Sequence, residues 1–223
     1  MQPGQPLINF QWIVDHLGAI WTATVQHVEL TVIPVVLGFV IALALSIWAA
    51  RRPIVYGPFV TLGGILYTIP SLALFAVLIP ITGLSLVSAV IPLVTYTILI
   101  YLRSIVAGIR GVAPDVIEAA EGMGYTSRQR LTRVELPLAV PMMITGVRLA
   151  TVTTIGLVTV ASIVGGSEFG GYGQLITEGL QTLFPTKYLL GAALSVLLAM
   201  TADTLLVRFE RRVTPWARAR SAV

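Results

Sequence analysis

Three glutamates and three arginines lie within residues 118–135, and these residue types are suited to pairing with charges on another molecule. The stretch is charged in a chain that is otherwise apolar, which is typical of a docking surface. A run of mixed charge is more often a solvated helix face, and composition alone leaves that alternative open. The chemistry predicted here is recognition of a partner through ion pairs and hydrogen bonds.

The same region contains signals for two short helices around a glycine turn. Pro114 suits the first turn of a helix, where its missing N–H costs nothing. Gly122 and Gly124 predict the end of that helix, because glycine tolerates the left-handed conformation of a helix terminus. Thr126 and Gln129 have the spacing of a capping box, which opens a second helix.

Small side chains and a proline complete the predicted docking surface. Ala119 and Ala120 leave one helix face nearly bare, so we expect a partner's backbone to approach closely there. Pro137 marks the boundary between this surface and the apolar run that follows it.

The elements that position this surface are expected to be membrane-spanning helices. The 223 residues are 56% hydrophobic and 11% charged, with a mean hydropathy of +0.90, whereas soluble domains average about a quarter charged residues. So few charges could not cover a soluble surface. Cysteine is absent, which excludes a disulfide framework and a thiolate metal site. The pI near 9.8 does not indicate nucleic acid, since the charges lie in short clusters between apolar runs.

Five apolar runs approach the roughly 20 residues that a transmembrane helix needs. We therefore expect an all-α integral membrane protein with about five spans. Prolines inside four of the runs are expected to be tolerated, because neighbouring helices in a bilayer can satisfy the freed carbonyls. The predicted spans are 28–50, 57–80, 85–102, 139–164 and 188–209, and the prolines are Pro34, Pro70, Pro92 and Pro141.

Residues 8–27 differ in kind from these runs. Apolar residues recur there at helical spacing with Asp15 and Gln26 between them, and Trp12 and Trp21 favour the headgroup layer of a membrane. We interpret this stretch as an amphipathic helix lying on the membrane. A sixth, imperfect span is the alternative. A signal peptide is disfavoured, because the first span lies far from the start and lacks a basic flank before it.

The basic residues predict the orientation of the chain. With five spans and residues 103–138 inside the cell, twelve of the fourteen lysine and arginine residues fall inside. Lys187 lies outside, and Arg148 lies within the fourth span. The reverse orientation contradicts the positive-inside rule. We therefore predict an external N-terminus and a cytoplasmic C-terminus.

The spacing within residues 118–137 resembles the EAA loop of permease subunits of bacterial ABC importers. That loop has Glu-Ala-Ala, three residues, Gly, nine residues, Ile, one residue and Leu-Pro, and every interval is matched here with valine in place of isoleucine. By this resemblance residues 104–138 form a cytoplasmic coupling segment that contains a coupling helix and contacts an ATPase. The matching residues are Glu118, Ala119, Ala120, Gly124, Val134, Leu136 and Pro137.

The resemblance covers the chain from about residue 24 to residue 216, and it is strongest to the glycine betaine, choline and carnitine (osmoprotectant) group. Methionine importer permeases share the architecture. Residues 165–187 are similar to an external glycine-rich segment of these permeases, and we call them the glycine-rich segment. Its glycines of interest are Gly165, Gly166, Gly170, Gly171 and Gly173, and further similar stretches are 163–166, 170–173, 202–206 and 214–216.

The resemblance implies alternating-access import of an osmoprotectant such as glycine betaine, choline or carnitine across the bacterial inner membrane. It implies the fold of the methionine importer permeases. The implied partners are a cytoplasmic ABC ATPase dimer, a second permease copy or paralogue, an extracytoplasmic substrate-binding protein and membrane lipid. The predicted organisation is an external amphipathic segment 1–27, a transmembrane domain 28–209 and a basic cytoplasmic tail 210–223.

The residues agree that the energy source lies on another chain. No G-x-x-x-x-G-K-[ST] phosphate loop occurs, and Lys187 is the single lysine; ATP and magnesium are therefore expected on the partner ATPase and no cofactor on this chain. The glycine-rich segment is expected to be a flexible external turn or a re-entrant segment. His16 and His27 cannot form a metal site alone, and no nucleophile–base pair is visible. We predict no enzyme activity, no metal and no nucleic-acid partner.

Four residues in the predicted spans are candidates for the solute pathway or its gate. Ionisable residues inside a membrane line a pathway or pair with one another, and for Arg148 and Asp203 the structural role is favoured. An aromatic cage holds a quaternary ammonium ion through cation–π attraction, and of the aromatic residues Tyr67, Phe75, Tyr96 and Tyr101 in spans two and three, Tyr67 and Tyr96 are the candidates. Sequence alone does not bring these side chains together.

Three other functions stay open at this point. A permease of this type could carry methionine or another amino acid. A proton- or ion-coupled secondary transporter could use Glu29 and Asp203, although such carriers usually have internal repeats and none is visible. A membrane scaffold without transport activity would explain the hydropathy but not the intervals within residues 118–137.

Overall fold

The computed structural model describes residues 7–216, and within them the chain is almost entirely helical. Residues 1–6 of the predicted N-terminal segment and residues 217–223 of the predicted tail lie outside the described part. The all-α architecture predicted from the sequence is confirmed. The elements are α1 (Phe10–Asp15), α2 (Leu17–Arg51), α3 (Pro53–Thr68), α4 (Ser71–Thr82), α5 (Leu86–Arg110), α6 (Pro114–Gly122), α7 (Ser127–Arg130), a π-helical turn (Leu131–Glu135), α8 (Leu136–Gly165), a 3₁₀ turn (Gly166–Glu168), α9 (Tyr172–Gln181) and α10 (Pro185–Val213).

Four helical stretches of the described chain are each long and apolar enough to cross a membrane. They are α2, α5, the unbroken helix Ser127–Gly165 and α10. The pair α3 and α4 qualifies as a fifth span when its two halves are taken together, and these halves meet at an angle of 89°. The expectation of about five spans is confirmed, but the second span is bent sharply in the middle.

The bend in the second span lies at Pro70, which was predicted to be tolerated because neighbouring helices can satisfy the freed carbonyls. Ile69 has φ −66° and ψ 125°, because the ring of a following proline disfavours the helical conformation. The Tyr96 hydroxyl donates to the freed Ile69 carbonyl at 2.5 Å. Pro34, Pro92 and Pro141 behave as expected, since α2, α5 and α8 continue through them.

The helix that contains the first span begins earlier than predicted. Residues 17–27 were assigned to a separate amphipathic helix, but α2 runs without a break from Leu17 to Arg51, and a short α1 precedes it. The reason lies in tertiary packing: Ala23 forms a small core with Tyr172 and Leu175 of α9, and His27 is fully buried. The helix has no break at residue 28, and the start of the transmembrane domain there stays a prediction.

Helix α5 lies at the centre of the bundle, where it packs most extensively against α2 and α8. Its fully buried Tyr101 and Ile105 join Ala42 and Ala139 in the largest core cluster. The Tyr101 hydroxyl donates to the Val35 carbonyl at 3.1 Å, which ties α5 to α2 next to Pro34. This three-helix centre positions the coupling segment at one end of α8 and the glycine-rich segment at the other.

Candidate functional site

The coupling segment is built from the end of α5, two short helices and the start of α8. Helix α5 continues to Arg110, well beyond the predicted span end at residue 102. Pro114 occupies the first turn of α6, and Asp115 lies in the same turn. The negative charge of Asp115 interacts favourably with the positive end of the helix dipole. The first predicted short helix is confirmed by α6, whereas the second is not a separate helix, because α7 is the first turn of the unbroken helix Ser127–Gly165.

The turn between these helices forms as the sequence predicts. Gly124 has φ +78°, a left-handed conformation that favours glycine. Its N–H donates to the Glu121 carbonyl at 2.9 Å, which closes the end of α6. The capping box is present as well: the Gln129 N–H donates to Thr126 Oγ1 at 3.3 Å, and the Thr126 N–H donates to Gln129 Oε1 at 2.9 Å.

An ion-pair bridge holds the turn in place, and sequence reasoning missed it. Arg130 Nε donates to Glu135 Oε1 at 2.7 Å, and Arg130 Nη1 pairs with Glu121 on α6. Glu135 is buried, whereas Glu121 is exposed. One guanidinium therefore links the end of α6 to the start of the long helix. The run of alternating charges around residue 130 was the available signal, but spacing alone does not select these partners.

The exposed face of α6 carries only part of the predicted contact surface. Glu118 and Ala119 are exposed, whereas Ala120 is 1% exposed and packs into the protein. The expectation that Ala119 and Ala120 share one bare face is therefore wrong, because adjacent helical residues point about 100° apart. Val134 and Leu136 are half-buried.

Pro137 does not separate the coupling segment from the following span. The chain is helical without interruption from Ser127 to Gly165, with a widened π turn at Leu131–Glu135. The widened turn directly precedes Pro137, which cannot donate to the carbonyl of Arg133 and whose ring would crowd it. A local π turn of this kind lets the backbone groups freed by a proline find other partners.

The glycine-rich segment is a packed element, so the expectation of a flexible turn is wrong, whereas the re-entrant alternative stays a prediction. It contains the ten-residue helix α9, whose first residues Tyr172 and Gly173 are buried. The N–H of Gly171 donates to Gln26 Oε1 at 3.1 Å, and the N–H of Tyr172 donates to His27 Nδ1 at 3.2 Å. Helix α2 therefore holds the start of α9 through two side chains.

His27 serves this contact as a neutral imidazole. A backbone N–H is only a donor, so Nδ1 must be the acceptor and the ring proton lies on Nε2. Nε2 in turn donates to the Ile155 carbonyl of α8 at 3.2 Å. The ring also stacks on Tyr172 with 4.5 Å between centroids. This residue joins α2, α8 and α9, and sequence reasoning missed it because the partners are far apart in the chain.

The five predicted glycines mark close approaches and turns within this segment. Gly166, Gly170 and Gly171 have φ values of +55°, +62° and +75°, which other residues rarely adopt. A Cβ on Gly173 would lie 2.6 Å from Ser162 Cβ, and one on Gly165 would overlap the ring of Phe169. The glycine content thus permits tight packing of α9 onto α8.

Arg148 and Asp203 pair with each other. Arg148 Nε donates to Asp203 Oδ1 at 2.9 Å and Nη2 donates to Oδ2 at 3.2 Å, and Nη1 lies 3.5 Å from Glu210 Oε2. Two parallel hydrogen bonds from a guanidinium to a carboxylate form a specific link. This link joins α8 to α10 across the bundle.

Tyr67 and Tyr96 come together, but no larger aromatic cage surrounds them in the described chain. Their rings meet edge to face with 5.4 Å between centroids. Phe75, which belongs to the same span as Tyr67, lies instead in a separate core cluster with Leu93. Tyr101, which belongs to the same span as Tyr96, packs edge to face on Phe39. The two tyrosines lie at the bend between α3 and α4, where Tyr67 is 46% exposed.

A family model matches the sequence over most of its length. The family is described as binding-protein-dependent transport system inner membrane component, and the match covers residues 30–215. The chain is also 36% identical over 206 residues to the choline transport system permease protein OpuBB of Bacillus subtilis, covering 92% of this chain and 93% of that protein.

Further relatives and solved structures agree with this match. The glycine betaine/carnitine/choline transport system permease protein OpuCB of Bacillus subtilis is 37% identical, with 89% of this chain and 90% of that protein covered. The osmoprotectant import permease protein OsmW of Salmonella typhimurium is 32% identical, with 93% and 97% covered. A structure of the MetNI methionine ABC transporter in an inward-facing conformation superposes with a TM-score of 0.79 at 23% identity, covering 90% of this chain and 98% of that chain.

Proposed function

Because the chain belongs to the family of binding-protein-dependent transport system inner membrane components and is a permease subunit of an ABC importer, we propose that it carries a small quaternary ammonium osmoprotectant. Glycine betaine, choline and carnitine are the solute candidates. The observation that carries this proposal is the similarity, over nearly the whole chain, to permeases named for those solutes. The solved structures of methionine and amino-acid transporters share the fold at 23% and 19% identity, which supports the architecture and not a solute.

The coupling segment is proposed to dock onto a separate ATPase that binds ATP and magnesium. The exposed Glu118 and Ala119 on α6 support this role. The positive φ of Gly124 and the Arg130 bridge support a fixed turn behind that face. Val134, Leu136 and Pro137 fit a further role, since they belong to the unbroken helix that would carry a displacement from the ATPase into the membrane.

The proposed assembly contains a second permease subunit, an ATPase dimer and an external substrate-binding protein. Twelve of fourteen basic residues lie on the coupling-segment side in a five-span arrangement, which supports a cytoplasmic C-terminus and an external N-terminus. The glycine-rich segment then lies on the external face.

The four pathway candidates divide into two proposals. Tyr67 and Tyr96 remain candidates for the pathway or gate, because they meet at the bend of a span and Tyr67 is exposed. Arg148 and Asp203 are proposed to tie α8 to α10, because each satisfies the charge of the other.

Reconstitution tests the transport proposal. The full chain is placed in proteoliposomes with its ATPase, second permease subunit and binding protein, and the uptake of labelled glycine betaine, choline and carnitine is measured. We expect ATP-dependent uptake of at least one of them, without competition from methionine. Uptake of methionine alone would show that the solute is methionine and not an osmoprotectant. Uptake without ATP that a proton ionophore abolishes would indicate a secondary transporter, and no flux of any solute would favour a scaffold.

Charge reversal on α6 tests the coupling proposal separately. Glu118→Lys should weaken association with the ATPase and lower transport by at least about tenfold, since a like charge replaces an attractive one at a docking surface. Glu168→Lys is the matched control, because Glu168 is also exposed but lies in the glycine-rich segment. Equal association of both variants with the ATPase would contradict the coupling role.

A further inference from the structure

A cavity of about 480 Å³ opens between the end of α2, the end of α5 and the coupling segment. Three arginines from three elements line it: Arg51 of α2, Arg110 of α5 and Arg130 of α7. Ile109 and Ile117 contribute apolar walls. Glu135 also lines the cavity and is paired with Arg130, and no role proposed above uses Arg51 or Arg110.

Two of the three arginines keep an uncompensated charge. Arg51 Nη2 donates to the Ser127 carbonyl at 2.9 Å, and Arg110 Nη2 donates to the Ala49 carbonyl at 3.1 Å. Among the described residues neither has a carboxylate within ion-pair distance, whereas Arg130 is paired with two glutamates. Each guanidinium has five N–H donors in a fixed fork, so most of their donors stay available. The cavity wall is therefore suited to an oxyanion.

The position of the cavity favours a lipid over a protein ligand. Trp48, one turn before Arg51, is 50% exposed and packs edge to face on Phe59, and tryptophan at a helix end is typical of the headgroup layer. The Arg110 guanidinium lies 4.5 Å above the ring of Tyr56. The exposed α6 residue Glu118, which we propose to face the ATPase, does not line the cavity.

We propose that this cavity binds the phosphate of an anionic phospholipid headgroup. The inference rests on the proposed orientation, which puts these helix ends at the cytoplasmic leaflet, where basic pockets between helices bind such headgroups. Arg51 and Arg110 hold the phosphate from α2 and α5. Because Arg51 also donates to Ser127 at the start of α7, the lipid stabilises the contact between the span and the coupling segment.

Lipid binding can be measured without any transport, so its outcome is separate from that of the proposed function. The full chain is purified in dodecyl maltoside and titrated with dioleoyl phosphatidylglycerol or dioleoyl phosphatidylcholine, and bound lipid is counted by native mass spectrometry. We expect one phosphatidylglycerol to bind at least about fivefold more tightly than phosphatidylcholine. Each arginine near a charged lipid surface strengthens binding by about fivefold. Arg51→Gln and Arg110→Gln should therefore each weaken lipid binding about fivefold.

Two control variants keep the result interpretable. Arg52→Gln removes a neighbouring exposed arginine that does not line the cavity, and it should change binding less than about twofold. The double variant Arg51→Lys with Arg110→Lys keeps both charges and should retain the preference for phosphatidylglycerol, which separates loss of charge from loss of folding.

Three results would overturn the lipid assignment. Equal binding of the two lipids would show that the cavity does not select an anionic headgroup. Displacement of phosphatidylglycerol by millimolar inorganic phosphate would show that a soluble phosphate is the ligand. Unchanged lipid binding in Arg51→Gln and Arg110→Gln, together with weaker association with the ATPase, would assign the two arginines to the protein interface instead.

Discussion

The two ends of α8 are held in different ways. At its Gly165 end, the glycine-rich segment is fixed by close backbone contacts and by neutral hydrogen bonds, including Ser162 Oγ to the Gly170 carbonyl at 2.5 Å and Tyr172 N–H to His27. At its other end, the coupling segment is held by the ion pairs of Arg130 and presents an exposed face. Close packing of neutral groups resists displacement, whereas partly exposed ion pairs exchange partners at small cost.

The two ends of α8 thus differ in rigidity: the Gly165 end is closely packed, and the other end presents an exposed face. The rigid end depends mainly on glycine and histidine, with one ion pair between Lys187 and Glu178 toward the end of α9, and the adjustable end depends on charge. Substitutions at the first end should therefore change the stability of the fold, and substitutions at the second should change stability much less. Four predictions test this difference in order of decreasing effect.

The largest effect is expected for Gly173→Val. Its Cβ would lie 2.6 Å from Ser162 Cβ and close to the Thr159 carbonyl, so α9 would have to move away from α8. Overpacking of this kind destabilises by about 3 kcal/mol, measured as the free energy of unfolding in detergent. Gly156→Val is the matched control, because no atom lies within 4 Å of the Cβ position there. Equal stability of the two variants would show that the α8–α9 contact is loose.

A smaller loss is expected for His27→Leu. The change leaves the buried N–H of Tyr172 without its acceptor, and an unsatisfied buried donor costs about 2 kcal/mol. Hydrogen exchange at the first amides of α9 should accelerate accordingly. His16→Leu is the control, since His16 is exposed and bonds only within its own helical turn. Unchanged exchange in the His27 variant would remove this residue from the contact between α2 and α9.

At the adjustable end, Glu121→Gln should cost less. Glu121 is exposed, and its partner Arg130 keeps Glu135 as a second partner, so loss of this exposed pair should cost about 1 kcal/mol or less. Glu118→Gln is the control, because Glu118 is an exposed residue of the same helix. A loss as large as that of Gly173→Val would mean that the two ends are equally rigid.

The smallest effect is expected from pH in the glycine-rich segment. Lys187 Nζ donates to Glu178 Oε2 at 2.9 Å, and this bond lowers the pKa of the Glu178 carboxyl below its usual value of 4.5. The contribution of the pair to stability is therefore complete above that value and is lost as the pH falls through the lowered pKa. The difference in melting temperature between the wild type and Glu178→Gln should shrink over this range. A difference in melting temperature that persists at low pH would contradict a stabilising ion pair between Lys187 and Glu178.

The local features of the coupling segment could be predicted because each depends on neighbouring residues. The helix start at Pro114, the left-handed turn at Gly124 and the capping box of Thr126 and Gln129 all follow from interactions within about four positions. The interaction of Arg130 with Glu121 and Glu135 could not be predicted, because spacing permits several pairings in a run of mixed charge.

The effect of the prolines is a second feature that could not be predicted from the sequence. Pro34 and Pro70 look alike in an apolar run, yet α2 continues through the first and the chain turns by 89° at the second. Pro34 is buried next to the central helix α5, where Tyr101 donates to the neighbouring Val35 carbonyl. Pro70 is exposed. The difference depends on tertiary neighbours, as does the contact of His27 with Tyr172 across 145 positions.

The unbroken helix from Ser127 to Gly165 has a mechanical consequence. Its 39 residues make a rod of about 58 Å, which is longer than the hydrocarbon core of a bilayer by about a factor of two. A tilt of about 10° about its midpoint would move each tip by about 5 Å. Arg130 lies close to one tip of this helix and Ser162 lies close to the other. A force applied at the coupling segment would therefore reach the surface of α8 on which α9 packs. On the proposed coupling role, this helix would transmit a displacement from the coupling segment to the contact with the glycine-rich segment.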